Sequence, residues 1–241
     1  MIKNAAIIIP TYNAKQHIKK TIDDIFSISP FLNIFVVDDN SPDNTSSEVK
    51  LLIKKYKRLQ LINRSKKDGR GSAVLEGFRQ AKNNKDILYF IEMDADLCHN
   101  PEYIPQMIKK CEKSDVVIAS RYLPSSRIIG WTIKRKIMSF SMNLFARICL
   151  GIPITDYTDG FRCYSRRAVE LILSRKISSK GYVVLSEIAY VCYRNNMKFS
   201  EIPIDFYFDS TLKSNLDIGV IKEAVKTLIL LRIYGKKKYK K

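Results

Sequence analysis

The chain lacks any apolar run near the roughly 20 residues that cross a bilayer, so no membrane-spanning helix is expected. It also lacks a leader pattern. The apolar stretch Ala5 to Pro10 is too short for a signal peptide, so the cytoplasmic side of a membrane is the expected location. Its five cysteines are odd in number and scattered, and no pair has metal-ligand spacing. That excludes a disulfide framework and a cysteine zinc site and leaves reduced thiols. Histidine is scarce: His17 and His99 are the only two. No repeat, low-complexity tract or Pro/Gly-rich linker divides the 241 residues, a length that suits one sizeable core.

Acid is the other shortage. Asp and Glu number 24 against 42 Lys and Arg, a formal charge of +18. Such an excess favours a polyanionic partner: nucleic acid, an anionic bilayer or a phosphorylated substrate.

What is present alternates between two periods. Ala5 to Ile9, Ile34 to Val37, Leu59 to Ile62, Ile87 to Met93 and Val116 to Ala119 read as strands. Helical stretches separate them, near 17–26, 48–56, 71–81 and 102–110. Strands alternating with helices predict an α/β fold with a mainly parallel sheet. In such sheets ligands gather beyond the carboxyl ends of the strands.

Three strand ends carry the informative residues. Pro10-Thr11-Tyr12-Asn13 follows the first, and Asp38-Asp39-Asn40-Ser41-Pro42-Asp43-Asn44-Thr45 the second. Asp94-Ala95-Asp96 follows Ile87 to Met93. Carboxylates at i and i+2 can both reach a hard cation, Mg²⁺ or Mn²⁺, that keeps waters and takes the rest of its ligands from phosphates. Alone, Asp-x-Asp more often marks a solvated turn; its place at a buried strand end is what gives it weight. Asp38-Asp39 offers acceptors for a base or ribose, and equally a turn with Ser41, Asp43 and Thr45 as caps. Arg135 and Ser139 are four apart, so on a helix they share a face, and Arg suits bidentate phosphate binding. Lys134 and Lys136 also permit a solvated basic stretch there.

These segments, together with Ser120-Arg121-Tyr122, Gly130-Trp131, Asp156-Tyr157-Thr158-Asp159-Gly160-Phe161-Arg162 and Lys180-Gly181-Tyr182 with Glu187, resemble the inverting family 2 glycosyltransferases of GT-A fold. Within them they resemble the dolichol-phosphate mannose synthase group, over roughly residues 5 to 205. The resemblance implies a Rossmann-like GT-A domain over 1–210, with an interfacial helix near 131–150. A basic amphipathic helix and tail would follow over 211–241. It implies that Pro10, Tyr12, Asp38, Asp39, Asp94, Ala95, Asp96 and Arg121 bind a nucleotide-sugar. Asp94 and Asp96 would also hold Mg²⁺ or Mn²⁺. Arg121, Arg135 and Ser139 would hold the phosphate of a polyprenyl or dolichyl acceptor. The chain departs from the pattern at Ala14, where an acid is usual, and at Asp209, where an Arg is usual. Lys213 is the candidate replacement for that Arg.

Two amphipathic stretches fit a bilayer surface: 133–150, and 218–234 with its terminal lysines. Packing on the domain is the usual fate of such faces; for the last helix a membrane or a membrane-embedded partner subunit is the favoured expectation. The donor (GDP-mannose or UDP-glucose) and a saccharide or protein acceptor stay open. So does a non-enzymatic reading as a basic nucleic-acid- or membrane-binding scaffold. Against nucleic acid stand the absence of a recognisable reader motif and carboxylates clustered where phosphates would sit.

Overall fold

The computed structural model describes residues 2–179, 181–208 and 218–239. A seven-stranded sheet runs through its centre. Five strands come from the alternating first half: β1 (Ala5–Thr11), β2 (Asn33–Asp38), β3 (Leu59–Asn63), β4 (Tyr89–Glu92) and β5 (Val116–Ser120). The helices between them are α1 (Lys15–Ile28), α2 (Thr45–Lys55), α3 (Arg70–Lys82) and α4 (Ile104–Cys111). The second half adds β6 (Arg127–Ile129), α5 (Ile133–Leu150), β7 (Arg162–Ser165), α6 (Arg166–Ser174), α7 (Val184–Arg194), β8 (Phe199–Pro203), β9 (Asp205–Tyr207) and α8 (Ile218–Tyr239).

The order across the sheet is β3-β2-β1-β4-β7-β5-β8. Strands β1 to β4 are mutually parallel, as are β5 and β8. Strand β7 is antiparallel to both neighbours, β4 and β5. The expectation of a mainly parallel sheet holds, with this one reversal at its middle. Strands β6 and β9 form a separate parallel pair.

Both faces of the sheet are covered, which is why the strands are continuously apolar rather than alternating. Ala6 and Ile8 of β1 point into one core with α3, α6 and α7, while Ala5, Ile7 and Ile9 point into another with α1, α2 and α4. Helix α5 is capped by the Thr132 side chain, which accepts from Arg135 N, and ends at Gly151 in the left-handed region. It buries Ala146, Cys149 and Leu150 but exposes Ile133, Ile137, Phe140, Leu144 and Ile148. Helix α8 seats Leu228, Leu231 and Tyr239 in the first core. Its Ile229, Leu230, Ile233 and Tyr234 stay exposed. The last helix therefore packs on the domain with one face and leaves another open.

Candidate active site

The carboxyl ends of β1, β2 and β4 lie on one side of the sheet because the three strands are parallel. Backbone bonds knit the segments leaving them: Asp39 N donates to Thr11 O at 3.0 Å, and Met93 N to Ile8 O at 3.1 Å. Just beyond, Leu97 adopts φ 62°, an unfavourable left-handed conformation for a branched side chain. The turn it makes lets Asp96 Oδ1 accept from Cys98 N at 3.1 Å and brings the 94–96 acids to one pocket.

That pocket holds five of the expected residues: Asp94, Asp96, Arg121, Arg135 and Ser139. It does not take in Pro10, Tyr12, Asp38 or Asp39, which lie on the neighbouring strand ends. Ala95 is buried beneath it, its carbonyl accepting from Thr21 Oγ1 at 3.2 Å. Lys213 and Asp209 lie outside the described residues.

The two acids after β2 divide in role. Asp38 Oδ1 accepts from Thr11 Oγ1 (2.8 Å) and Ser41 Oγ (2.6 Å). Its Oδ2 accepts from Ser41 N (2.9 Å) and Ser46 Oγ (2.8 Å). These bonds tie Asp38 into the loop after β2; the Ser46 hydroxyl, with one proton, also faces Asn63 Oδ1 at 2.7 Å, so Asp38 Oδ2 keeps room for a further donor. Asp39 Oδ2 accepts from Asp68 N and Gly69 N at 3.0 Å, and Oδ1 accepts from Arg64 Nη1, which among the described residues leaves that oxygen one lone pair. Tyr12 is exposed, with Lys67 Nζ 3.8 Å above its ring centre.

The basic end divides as well. Arg121 is caged: Nε and Nη2 meet Asp156 at 2.7 and 2.8 Å, Nη2 donates to Thr158 Oγ1 at 2.7 Å, and Nε lies 3.0 Å from Asp159. Burial would lower its pKa, but Asp156 and Asp159 outweigh it and raise it, so the charge is permanent. Arg135 has no carboxylate partner among the described residues. It stacks on Phe208 (3.8 Å) and Trp131 (4.7 Å). Desolvation, with the Arg121 charge adding to it, lowers its pKa. Such a guanidinium gains from an anion. Ser139 Oγ is 2.6 Å from Tyr122 OH on the same wall.

His99, three residues after Asp96, is engaged by its neighbours. Nε2 lies 3.0 Å from Asp159, Nδ1 accepts from Asp94 N at 3.2 Å, and the ring stacks on Phe161. Burial favours the neutral ring, but Asp159, with Asp94 and Asp96 behind it, lifts its pKa to about 9. The contacts themselves are those of the neutral ring, with Nε2–H donated to Asp159 and Nδ1 accepting from Asp94 N–H; the surrounding acids favour a second proton, and taking it would cost the Asp94 contact.

Sequence reasoning gave no role to Arg70, Glu92, Asp156 or Asp159. Nor did it foresee Arg162, a fully buried guanidinium that donates to three backbone oxygens: Asp159 O (2.9 Å), Leu185 O (2.7 Å) and Asp156 O (3.3 Å). Arg162 ties the 156–162 loop to α7 and so holds the Arg121 cage in place.

The donor set suits a hard cation. Asp94 and Asp96 are half-buried carboxylates on one pocket, with oxygens to spare. Among the described residues no three His, Cys, Asp or Glu side chains cluster as a complete metal cage. Two carboxylates with outside oxygens completing the shell is the arrangement that Mg²⁺ and Mn²⁺ take with phosphates.

A profile of the family described as glycosyl transferase family 2 matches residues 6–173. The chain belongs to that family. Among curated relatives, the undecaprenyl-phosphate mannosyltransferase of Micrococcus luteus is 33% identical over 90% of this chain and 89% of its own length. The polyprenol monophosphomannose synthase of Mycolicibacterium smegmatis is 31% identical over 91% and 83%. The dolichol-phosphate mannosyltransferase of Pyrococcus furiosus is 32% identical; the match covers 94% of this chain but 63% of that longer protein. Among solved structures, glucosyl-3-phosphoglycerate synthase from Mycobacterium tuberculosis, in complex with Mn²⁺, UDP and glucosyl-3-phosphoglycerate, superposes with a TM-score of 0.66 at 15% identity. That match covers 97% of this chain and 80% of the other. The likeness establishes the GT-A fold expected for the family, and the protein is a glycosyltransferase.

Proposed function

We propose that the protein transfers mannose from GDP-mannose to a polyprenyl phosphate at a membrane surface, with inversion at the anomeric carbon. The observation that carries this reading is one pocket with three chemically distinct parts. Carboxylates Asp94 and Asp96 stand at one end, and the guanidinium of Arg135, without a carboxylate partner among the described residues, stands near Ser139. Met138, Met142 and Ala146 of α5 and Ala224 and Leu228 of α8 supply an apolar wall. A nucleoside diphosphate, a phosphate monoester and a hydrocarbon chain are the ligands those parts fit. The names of the curated relatives supply mannose and the polyprenyl phosphate.

Asp94 and Asp96 would hold Mg²⁺ or Mn²⁺, which when bound neutralises the departing diphosphate. Tyr12, Pro10 and the open lone pair of Asp39 border the nucleoside. Arg135 and Ser139 orient the acceptor phosphate. Arg121, fixed by Asp156 and Asp159, adds a permanent positive charge beside them. A phosphate monoester is mostly ionised at neutral pH, its second pKa being about 6, so it attacks without a strong base. One of its oxygens bonds to the anomeric carbon as the bond from that carbon to the diphosphate oxygen breaks, and the electron pair leaves with the nucleotide. A single displacement inverts the centre. Positioning and charge carry the catalysis. Offering the protein GDP-mannose and UDP-glucose, each with polyprenyl phosphate or a free saccharide, tests this reading. Mannosyl transfer to the lipid phosphate is expected; transfer only to the saccharide would refute it.

The bilayer is proposed to meet the exposed stripe of α5, Ile133, Ile137, Phe140, Leu144 and Ile148, and the open face of α8. Lys134, Lys136 and Arg147 flank the α5 stripe. Among the described residues no helix is long and apolar enough to cross a membrane. Because α8 also packs into the core, deleting it would disturb the fold, and point variants are the cleaner probe. Ile137→Glu with Phe140→Glu should reduce co-sedimentation with anionic liposomes about tenfold. Unchanged co-sedimentation would contradict a membrane role for α5.

A further inference from the structure

Arg70 lies against Asp94 and Gly160, two residues that line the pocket, and the chemistry above makes no use of it. It opens α3, directly after Gly69, whose φ is +90°. Both Nε and Nη2 lie 2.8 Å from the same oxygen, Asp94 Oδ1. Nη1 lies 3.2 Å from Glu92 Oε2, and Nη2 donates to Gly160 O at 3.4 Å. Glu92 is fully buried, and its other oxygen accepts from Tyr164 OH at 2.6 Å. A Cβ at position 160 would fall 2.0 Å from Nη2, so Gly160 is what admits the guanidinium. Burial would lower the pKa of Arg70, but Asp94 and Glu92 outweigh it and raise it, so the charge persists.

Two consequences follow for Asp94. One of its oxygens already accepts a charged hydrogen bond from Nε and has Nη2 equally close, which leaves it less open to a cation. A fixed positive charge also stands within bonding distance of that carboxylate, where it repels a divalent ion in a poorly solvated place. A diphosphate relieves both, since its oxygens complete the coordination shell and its negative charge offsets the guanidinium.

We propose that Arg70 is a positioning residue that makes divalent-cation binding at Asp94 and Asp96 depend on the donor nucleotide. The inference rests on the donor-site reading given above. It predicts that the cation and the nucleotide diphosphate enter as a pair and bind poorly apart.

The test is titration of Mn²⁺, followed by the electron paramagnetic resonance of the free ion, with and without GDP or UDP. It uses wild type, Arg70→Lys, Arg70→Leu and Asp96→Asn. Removing the repelling charge should let Arg70→Leu bind Mn²⁺ alone about tenfold more tightly than wild type, and the gain from added nucleotide should shrink to match. Arg70→Lys should stay close to wild type. Since Arg70→Leu leaves Glu92 buried without its cation, the double variant Arg70→Leu/Glu92→Gln repeats the measurement with that charge removed. Wild-type Mn²⁺ affinity in both leucine variants, with and without nucleotide, would overturn the inference. If Asp96→Asn abolishes nucleotide-dependent Mn²⁺ binding while the Arg70 variants match wild type, this inference alone fails. If wild type binds no Mn²⁺ even with nucleotide, the donor-site reading fails and takes this one with it.

Discussion

Asp96→Asn is expected to cut mannosyl transfer by about a thousandfold or more, the loss typical when a charge-stabilising group is removed at a developing anion. The substitution is nearly isosteric. Asn keeps an oxygen that can accept from Cys98 N as Asp96 Oδ1 does. Thermal stability should therefore stay near that of wild type. Asp94→Asn is a less clean probe, because it also withdraws the partner of Arg70. Near-normal turnover in Asp96→Asn, measured at saturating donor and metal, would remove Asp96 from the catalytic account.

Arg135→Met should show the second large effect, confined to the acceptor. The guanidinium has aromatic neighbours but no carboxylate partner among the described residues, so its removal strands no buried charge. A hydrogen bond to a charged group contributes about 1.5–3 kcal/mol. Losing a bidentate contact to the acceptor phosphate should then lower kcat/KM for polyprenyl phosphate about a hundredfold. Nucleotide binding should be unchanged, because Asp94, Asp96 and Asp39 are untouched. Steady-state kinetics with each substrate varied in turn separates these outcomes. A loss that falls on the donor instead would place Arg135 on the wrong substrate.

Much of the fold is legible in the sequence because β1, β2 and β5 are buried on both faces and read as unbroken apolar runs. Strand β7 escapes that logic. It has four residues, and it begins with Arg162, whose charge suggests surface until three carbonyls are seen to enclose it. Asp94 and Asp96 are legible from their spacing at a strand end. Arg135 and Ser139 are legible from the helical repeat that brings them to one wall. Arg121 lines the pocket, but its cage is not foreseeable, since Asp156 stands 35 residues away in sequence. Asp38 and Asp39 look equivalent in sequence. Only the hydrogen bonds from Thr11, Ser41 and Ser46 show how closely Asp38 is tied into its own loop. Arg70 reads as one more basic residue after Lys66 and Lys67. The single available signal is its place between Gly69 and Gly71, where small neighbours permit close approach.

The most direct measurement incubates purified protein with GDP-mannose labelled in the sugar, Mn²⁺ and a polyprenyl phosphate, beside the same polyprenol without its phosphate. Label should pass to the phosphorylated lipid alone, in a product of anomeric configuration opposite to the donor's. Mannosylation of the unphosphorylated polyprenol, or a product that keeps the donor's configuration, would contradict a pocket in which Arg135 presents a phosphate nucleophile to a sugar held at Asp94 and Asp96.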